Sequence, residues 1–205
     1  MRARFTTHEI ADAALRLVDQ SGVGALSMRA LANALGTGPM TLYNYVADKE
    51  GLEELVVAAI VGEVRLPDPT DDWQHDAYAI ASAMWSGVRA HPAAIPLVLT
   101  RRMSSATGFA AADALIAALT RAGLDDRDRL SAFHALLGFV TGAAQADLAG
   151  PLVAARIGSV AGSDFPNVEA LSEVAKRTTV EEDFDRGLRM LLDGIATRRR
   201  SRRRR

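Results

Sequence analysis

Residues 31–56 of the chain read LANALGTGPMTLYNYVADKEGLEELV, and this stretch predicts two short helices joined by a tight turn. Ser27, a preferred N-cap residue, precedes an apolar face with helical spacing. Gly36 stands where a glycine commonly ends a helix, and Pro39 suits the first position of the next helix because its φ is fixed and it has no amide to leave unpaired. Two short helices around a turn of three or four residues are typical of a helix-turn-helix.

The second helix of this pair, predicted over residues 39–45, has an apolar side and a polar side. Leu42 and Val46 are four residues apart and are expected to face inward. We expect the following to face outward: Thr41, Asn44 and Tyr45, with Tyr43 near the edge. Asparagine binds adenine edges, a threonine methyl contacts thymine, and tyrosine hydroxyls bind phosphates, so this side predicts contact with DNA in the major groove. Packing alone is the alternative role for the two tyrosines.

Capping signals place further helices on both sides of the motif. Thr6 and Glu9 have the T-x-x-E spacing of a capping box, which opens a first helix, and Thr179-x-x-Glu182 opens the last one. Asp48 is expected to cap a helix that runs to about Arg65. Apolar stripes with helical spacing fill the rest of the chain, which is 49% hydrophobic and only 5% aromatic. These features predict an all-α fold.

Charge is distributed unevenly along the 205 residues. The net charge is −1, but residues 198–205 read RRRSRRRR and hold seven arginines, so the rest of the chain carries −1 − 7 = −8. A block of like charges is expected to be disordered. It either remains a solvated tail, binds another acidic partner, or adds nonspecific affinity for DNA; in the last case its removal would flatten the salt dependence of DNA binding.

Composition removes several classes of site. The chain has no cysteine, which excludes disulfides, thiolate metal sites and cysteine nucleophiles. No predicted helix carries two histidines at i, i+3 or i+4, and no phosphate loop or nucleophile elbow is visible, so we expect no metal, no cofactor and no catalytic residue. Apolar runs are far shorter than the ~20 residues of a membrane span, and no signal segment is visible at the start, so a cytoplasmic protein is expected.

Residues 6–55 resemble the DNA-binding head of the TetR family of transcriptional repressors. The most specific part of the resemblance is the pattern Thr-Leu-Tyr-x-Tyr-Val-x-x-Lys-x-x-Leu, which runs here from Thr41 to Leu52. The resemblance implies a dimer that binds a palindromic operator in double-stranded DNA and a largely apolar small-molecule effector. It also implies the residues that contact DNA: Arg29, Thr37, Gly38, Pro39, Met40, Thr41, Tyr43, Asn44, Tyr45 and Lys49.

The resemblance and the proline-rich break at residues 66–72 together divide the chain. The predicted divisions are a helix-turn-helix DNA-binding domain over residues 1–47, a connecting helix over 48–66, a helical effector-binding and dimerisation domain over 67–197, and a disordered arginine-rich tail over 198–205. Residues 149–166, which contain several glycines and prolines, predict a long loop.

Aromatic and polar residues of the helical remainder are candidates for the effector site, although each aromatic also suits a core. They are Trp73, Tyr78, Trp85, Met103, Phe109, His134, Phe139 and Gln145. His91, before Pro92, is expected at a helix end. Small residues at every fourth position and an apolar stripe on the last helix predict a four-helix dimer interface, unless these faces pack within one subunit. The residues concerned are Gly138, Gly142, Phe184, Leu188, Leu191 and Ile195.

These features predict a sequence-specific DNA-binding regulator, and most simply a repressor that a small molecule releases from its operator. Two other classes stay open at this point. An all-helical enzyme would lose turnover when His134 and a carboxylate are replaced. A helical interaction protein with a non-functional head would bind no DNA in a random-sequence selection.

Overall fold

The structure is a computed structural model that describes residues 5–101, 106–149 and 166–202. Every regular element in these residues is a helix, which confirms the all-α fold class. The α-helices are α1 Thr7–Ser21, α2 Met28–Ala34, α3 Pro39–Leu42, α4 Lys49–Glu63, α5 Trp73–Arg89, α6 Ile95–Arg101, α7 Ala106–Arg121, α8 Asp126–Ala149, α9 Pro166–Ala175 and α10 Val180–Arg202. Short 3₁₀ turns at Val23–Ala25 and Pro92–Ala94 precede α2 and α6. No helix of the described residues is long and apolar enough to cross a membrane.

The predicted caps are confirmed at the starts of the helices. The Thr6 hydroxyl accepts a hydrogen bond from the Glu9 N–H at 3.1 Å, and the Glu9 carboxylate accepts one from the Thr6 N–H at 2.7 Å. The Asp48 carboxylate accepts one from the Gly51 N–H at 2.9 Å and so begins α4. Each such cap contributes about 1 kcal/mol, because it satisfies a backbone donor that the helix leaves unpaired.

Helices α1 to α4 form the head around one apolar core. Its fully buried members come from all four helices and include Ile10, Leu31, Leu42 and Leu52. Helix α3 is shorter than the sequence predicts: it ends at Leu42, and turns carry the chain to Val46, whose N–H donates to the Leu42 carbonyl at 3.0 Å. The inward positions of Leu42 and Val46 are confirmed, since both are buried.

Helices α5, α7, α8 and α10 form the body around a second apolar core. Trp85 of α5 stacks on Phe184 of α10 with ring centroids 3.8 Å apart. Near the start of α5, the buried Asp76 carboxylate accepts hydrogen bonds from the backbone and hydroxyl of Thr70 and from the Arg121 guanidinium. This carboxylate ties the α4–α5 connection to the end of α7.

The head and the body are joined through α4, α6 and the turn before α6. Leu97 and Val98 of α6 belong to the head core, although they follow the first body helix in the sequence. The end of α4 also approaches α5 closely: a side chain at Gly87 would place its Cβ 2.6 Å from a methyl carbon of Val64. A glycine is therefore required at position 87 for this contact.

The arginine-rich segment differs in part from the prediction. Helix α10 continues through Arg202, so the prediction of disorder is wrong for residues 198–202. The physical reason is that α10 has a strong capping box at its start and a buried apolar face, and a helix propagates easily once it has formed. Residues 203–205 and all but the ends of the predicted loop over residues 149–166 lie outside the described residues.

Candidate DNA-binding surface and effector cavity

The turn between α2 and α3 is closed by backbone hydrogen bonds. Gly36 has a φ of 62°, which favours glycine because other residues carry a Cβ that clashes in this conformation. The Thr37 N–H donates to the Ala32 carbonyl at 2.9 Å, and the Gly36 N–H donates to the Asn33 carbonyl at 3.1 Å. This closure ends α2 and directs the chain into α3 at Pro39, as the sequence predicts.

The start of α3 and the turn after it form an exposed surface. Met40 is 76% exposed and Tyr43 is 49% exposed, which is unusual for such large apolar or aromatic side chains. Gly38, Pro39 and Asn44 are also exposed and lie beside them in the sequence. Five of the ten predicted DNA-contacting residues thus lie on a single exposed stretch of the head.

Tyr45 differs from the prediction that it faces outward. Its ring packs against the head core, and its hydroxyl oxygen accepts a hydrogen bond from the Phe5 N–H at 3.1 Å. Because Val46 is buried and the chain turns after Leu42, the tyrosine between them is drawn toward the start of α1. The pair of tyrosines therefore divides into an exposed Tyr43 and a half-buried Tyr45.

The other predicted contacts lie on the margins of this surface. Arg29 of α2 and Lys49 of α4 are exposed, whereas Thr37 and Thr41 are half-buried. The Lys49 ammonium lies 3.8 Å from a Glu53 carboxylate oxygen, one turn along α4. Lys49 is thus held near the start of α4 by a charge on its own helix.

An apolar cavity lies between the head and the body. Its volume is about 60 Å³, and its lining comes from α4 to α8 and from the residue after α4. The lining residues are Ile60, Val61, Val64, Met84, Val88, Val98, Leu99, Ala111, Ala112, Leu137, Val140, Thr141 and Ala144. Among the lining residues that the structure describes, only Thr141 has a polar side chain, and its hydroxyl donates to the Leu137 carbonyl at 2.6 Å. The cavity therefore offers almost wholly apolar contacts.

None of the predicted effector-site residues that the structure describes lines this cavity. Trp73 and Trp85 are buried in the body core, where their size makes them packing residues. Tyr78 is bonded through its hydroxyl to the Asp185 carboxylate at 2.6 Å, and this hydrogen bond raises the pKa of the Tyr78 hydroxyl. Phe139 packs on Phe184. The side chains of Phe109, His134 and Gln145 are exposed, and Met103 lies outside the described residues.

Helix α6 connects the cavity to the start of α4. Val98 and Leu99 line the cavity, and Arg101, two residues further along α6, donates from Nε to the Glu53 carboxylate at 2.9 Å. Glu53 is the carboxylate that also lies next to Lys49. A displacement of α6 would therefore change the charge partner of a lysine beside the exposed surface.

His91 links three elements at the junction of head and body. Its Nδ1 lies 2.9 Å from the Asp19 carboxylate of α1, and its Nε2 lies 2.9 Å from the Glu63 carboxylate at the end of α4. Burial alone would lower the pKa of His91, but the hydrogen bonds to Glu63 and Asp19 and their charges outweigh it and raise that pKa. The expected position of His91 at a helix end is confirmed, and the bridge is an additional role.

Exposed faces of α8 and α10 form the candidate dimer surface. Gly138 and Gly142 are exposed, and a Cβ built at either position meets no atom within 4 Å. Leu191 and Ile195 are half-buried beside the exposed Met190, and they line a groove between α8 and α10. Phe184 and Leu188 were predicted to be in the interface, but this is wrong: they are 4% and 0% exposed because they face the core of their own subunit.

The sequence pattern of the cavity residues is the helical spacing of ordinary core residues, so it does not distinguish a cavity from a packed core. Leu137, Val140, Thr141 and Ala144 recur at the spacing of one helix face, as core residues also do. Within the described residues, no group of three or more histidine, aspartate or glutamate side chains is placed to hold a metal ion.

Two family models match the chain. Residues 10–56 match the model described as "Bacterial regulatory proteins, tetR family", and residues 66–199 match the model described as "Tetracyclin repressor-like, C-terminal domain". An HTH-type transcriptional regulator of Saccharopolyspora erythraea is 34% identical over 144 residues, which are 70% of this chain and 61% of that protein. The chain thus spans less than two thirds of that regulator. The HTH-type transcriptional repressor DrrR1 of Streptomyces coeruleorubidus is 27% identical, with 93% of this chain and 77% of the repressor covered.

A solved structure agrees with these matches over nearly the whole chain. ActR of Streptomyces coelicolor in its apo form has a TM-score of 0.86 at 25% identity, covering 98% of this chain and 99% of ActR. ActR has also been solved in complex with actinorhodin, with a TM-score of 0.82 and coverage of 95% and 96%. With both parts of the sequence matched and the helix-turn-helix present, the chain belongs to the TetR family of DNA-binding transcriptional regulators.

Proposed function

We propose that this protein is a cytoplasmic repressor that acts by binding alone, without turnover. Two heads of a homodimer bind one palindromic operator, and a small-molecule effector in the apolar cavity releases the DNA. The observation that carries the proposal is the contact chain through α6. The same short helix lines the cavity with Val98 and Leu99 and is bonded to the start of α4 through Arg101.

The release mechanism follows from the position of the cavity. Helix α4 contributes Ile60 and Val61 to its lining and extends back to Lys49 at the edge of the exposed surface. A molecule that enlarges the cavity pushes on α4 and α6 together, and α4 acts as the connecting helix that moves the head. The effector shifts the equilibrium only to the extent that it binds the released state better than the DNA-bound state.

The lining also indicates the class of effector. The volume of about 60 Å³ has room for only a few waters, so an effector of drug size must displace side chains such as Met84 and Leu99. Because these side chains are apolar, we expect an apolar molecule with few polar groups. Actinorhodin, which ActR binds, is a suitable first probe, and a series of apolar aromatic compounds is the second.

Dimerisation through α8 and α10 gives the two heads a fixed separation. The exposed Leu130 and Met190, at 55% and 65%, add apolar area beside the glycines of α8. A second copy of the same face buries this area, and the open space at Gly138 and Gly142 lets two helices approach closely. A fixed separation is what a repeated half-site requires.

The experiment is a selection of bound fragments from genomic DNA with the intact protein, followed by anisotropy titrations of a recovered fragment. Lys49→Ala is expected to weaken binding of all sequences about equally, because a phosphate contact carries no sequence information. Asn44→Ala is expected to relax the preference for one base pair, at a cost of about 1–3 kcal/mol for the preferred sequence. A mutation at His75, exposed on α5 in the body, serves as the control.

Two outcomes would overturn the proposal. If no fragment is recovered above a random background, the protein has no specific operator. If both Lys49→Ala and Asn44→Ala leave DNA affinity and sequence preference unchanged, the exposed surface at α3 is not the DNA-binding surface, even if the protein binds DNA elsewhere.

A further inference from the structure

Met40 is the most exposed of the large apolar residues that the structure describes, at 76%. It lies on α3 next to Pro39, and Leu42, two positions further, is 0% exposed in the head core. Residues two apart on a helix do not share a face, so α3 directs Met40 away from the core that holds Leu42. Packing within the head therefore does not account for a large apolar side chain at this position.

The residues before Met40 are also unable to read a base edge with polar side chains. Gly38 has no side chain, and Pro39 has only a hydrocarbon ring and no N–H. The thioether sulfur of Met40 is a weak hydrogen-bond acceptor and no donor. Residues 38–40 are all exposed, so the exposed surface begins with a stretch that offers only apolar side-chain contacts. Its polar side chains come later, with Asn44 exposed and Thr41 half-buried.

The charge of the head makes contacts at the bases more important. Residues 1–50 hold five basic and five acidic side chains, so this part of the sequence has no excess of positive charge. Attraction to phosphates supplies most of the sequence-independent affinity of a DNA-binding protein. A head without a basic excess gains less from this term, and short-range contacts such as those of Met40 must contribute more.

The major groove presents one apolar group to such a side chain, the C5-methyl group of thymine. An unbranched thioether with three rotatable bonds adapts its shape to this group. Against the amino group of cytosine, the same side chain would cover a hydrogen-bond donor without accepting from it, which is unfavourable. The contact is thus favourable at thymine and costly at an unmodified cytosine.

We propose that Met40 is a specificity-determining residue that reads the C5-methyl group of one thymine in each half-site of the operator. This inference rests on the proposed function, which places the exposed surface of the head in the major groove. It also implies that 5-methylcytosine substitutes in part for that thymine, because it presents a methyl group at the same place in the groove.

The test uses an operator fragment recovered in the genomic selection, made as a synthetic duplex in which each thymine in turn is replaced by deoxyuridine. This replacement removes the methyl group and leaves every hydrogen-bonding group of the base in place. Anisotropy titrations compare the wild-type protein with Met40→Ala and with Met40→Leu, which keeps an apolar side chain of similar size. The control is Leu171→Ala, because Leu171 is a similarly exposed apolar residue, at 63%, on α9 and outside the head.

The wild-type protein is expected to bind about fourfold more weakly when one particular thymine of a half-site is replaced, which is the effect of one buried methylene. Replacement in both half-sites is expected to weaken binding about fifteenfold, since the two contacts are far apart and add. Met40→Ala is expected to bind the unmodified operator weakly and to show no further loss at that thymine. Met40→Leu is expected to keep the sensitivity, and Leu171→Ala to behave like the wild type.

A second comparison isolates the methyl group on a different base. The thymine that depends on Met40 is replaced by cytosine or by 5-methylcytosine, each paired with guanine. The wild-type protein is expected to bind the methylated duplex about fourfold more tightly than the unmethylated one. Met40→Ala is expected not to distinguish the two.

The inference is overturned if Met40→Ala keeps the wild-type sensitivity to deoxyuridine at every thymine, or if no thymine of the operator is sensitive in the wild-type protein. Either result leaves the proposed function standing, because the operator is still bound and Lys49→Ala still weakens that binding. If no operator fragment is recovered, the proposed function fails and the inference fails with it. Met40→Ala is expected to leave the midpoint of urea unfolding unchanged, since Met40 is exposed, and this separates a lost contact from a misfolded head.

Discussion

Tyr43 and Tyr45 stand two positions apart, and the structure gives them different surroundings. Tyr43 is half exposed beside Met40, whereas Tyr45 lies against the head core with its hydroxyl bonded to the Phe5 backbone. The sequence rules out a common helix face for the two, but it does not tell which one turns inward. That choice depends on Phe5, 40 residues away in the sequence, and on the end of α3 at Leu42.

The two tyrosines should therefore respond differently to the loss of the hydroxyl. Tyr45→Phe removes a hydrogen bond to a backbone N–H and is expected to lower the free energy of unfolding by about 0.5–1.5 kcal/mol. Tyr43→Phe is expected to leave the free energy of unfolding unchanged and to weaken operator binding about fivefold, by loss of a contact worth about 1 kcal/mol. Urea titration and anisotropy measure the two effects. The same stability loss in both variants would contradict the division of roles.

At the scale of helices, the sequence predicts where a helix starts better than it predicts which face the helix buries. Caps such as Thr6 with Glu9 are formed by neighbours in the sequence, so the starts of α1, α2, α4 and α10 follow from the sequence. The sequence does not predict which face of α10 is buried, since Leu188, Leu191 and Ile195 all fit one apolar stripe. Packing on α5 and α8 buries the side of Leu188 and leaves the other two at the surface groove.

The bridge at His91 joins elements that no local signal connects, and it makes the junction sensitive to pH. Because the folded state raises the pKa of His91 above its unfolded value near 6.5, the protonated bridge stabilises the fold below pH 6.5. This stabilisation is lost as the pH rises through the folded-state pKa. His91→Gln is expected to lower the free energy of unfolding by about 1.5–3 kcal/mol at pH 6 and by less at pH 8.5.

Chemical denaturation across this pH range measures the effect, with His75→Gln as the control because His75 is exposed on α5. The difference between wild type and His91→Gln should narrow with rising pH, while the difference for His75→Gln stays small throughout. A loss of stability in His91→Gln that is the same at pH 6 and pH 8.5 would show that the bridge acts through packing and not through charge.

At the scale of the whole molecule, the cavity is the feature that the sequence does not reveal. Its lining comes from five helices and the residue after α4. Apart from Thr141, the lining side chains that the structure describes are apolar, and sequence patterns cannot distinguish them from core. Trp85 and Phe184, two aromatic residues that are conspicuous in the sequence, instead stack on each other between α5 and α10. The family resemblance implies an effector site, and the cavity beside Val98 and Leu99 is where we propose that the effector binds.

The location of the cavity can be tested with two alanines on α8. Ala144 is 1% exposed and lines the cavity, whereas Ala146, two positions further, is exposed. Ala144→Met fills the cavity and is expected to leave operator affinity within about twofold while reducing effector-induced release at least tenfold, because the added side chain occupies the space that the effector needs. Ala146→Met has the same change in volume and helix propensity and is expected to behave like the wild type.

Release is measured by the anisotropy of labelled operator during titration with an apolar aromatic compound. Binding of an apolar fluorescent dye monitors the cavity independently of the effector's identity. If both variants lost release equally, the effector would bind outside the cavity. If Ala144→Met itself released the operator, filling the cavity would be sufficient to drive α4 and α6 into the released arrangement. That second result would place the coupling in the packing around Val98 and Leu99 and not in any specific contact with the effector.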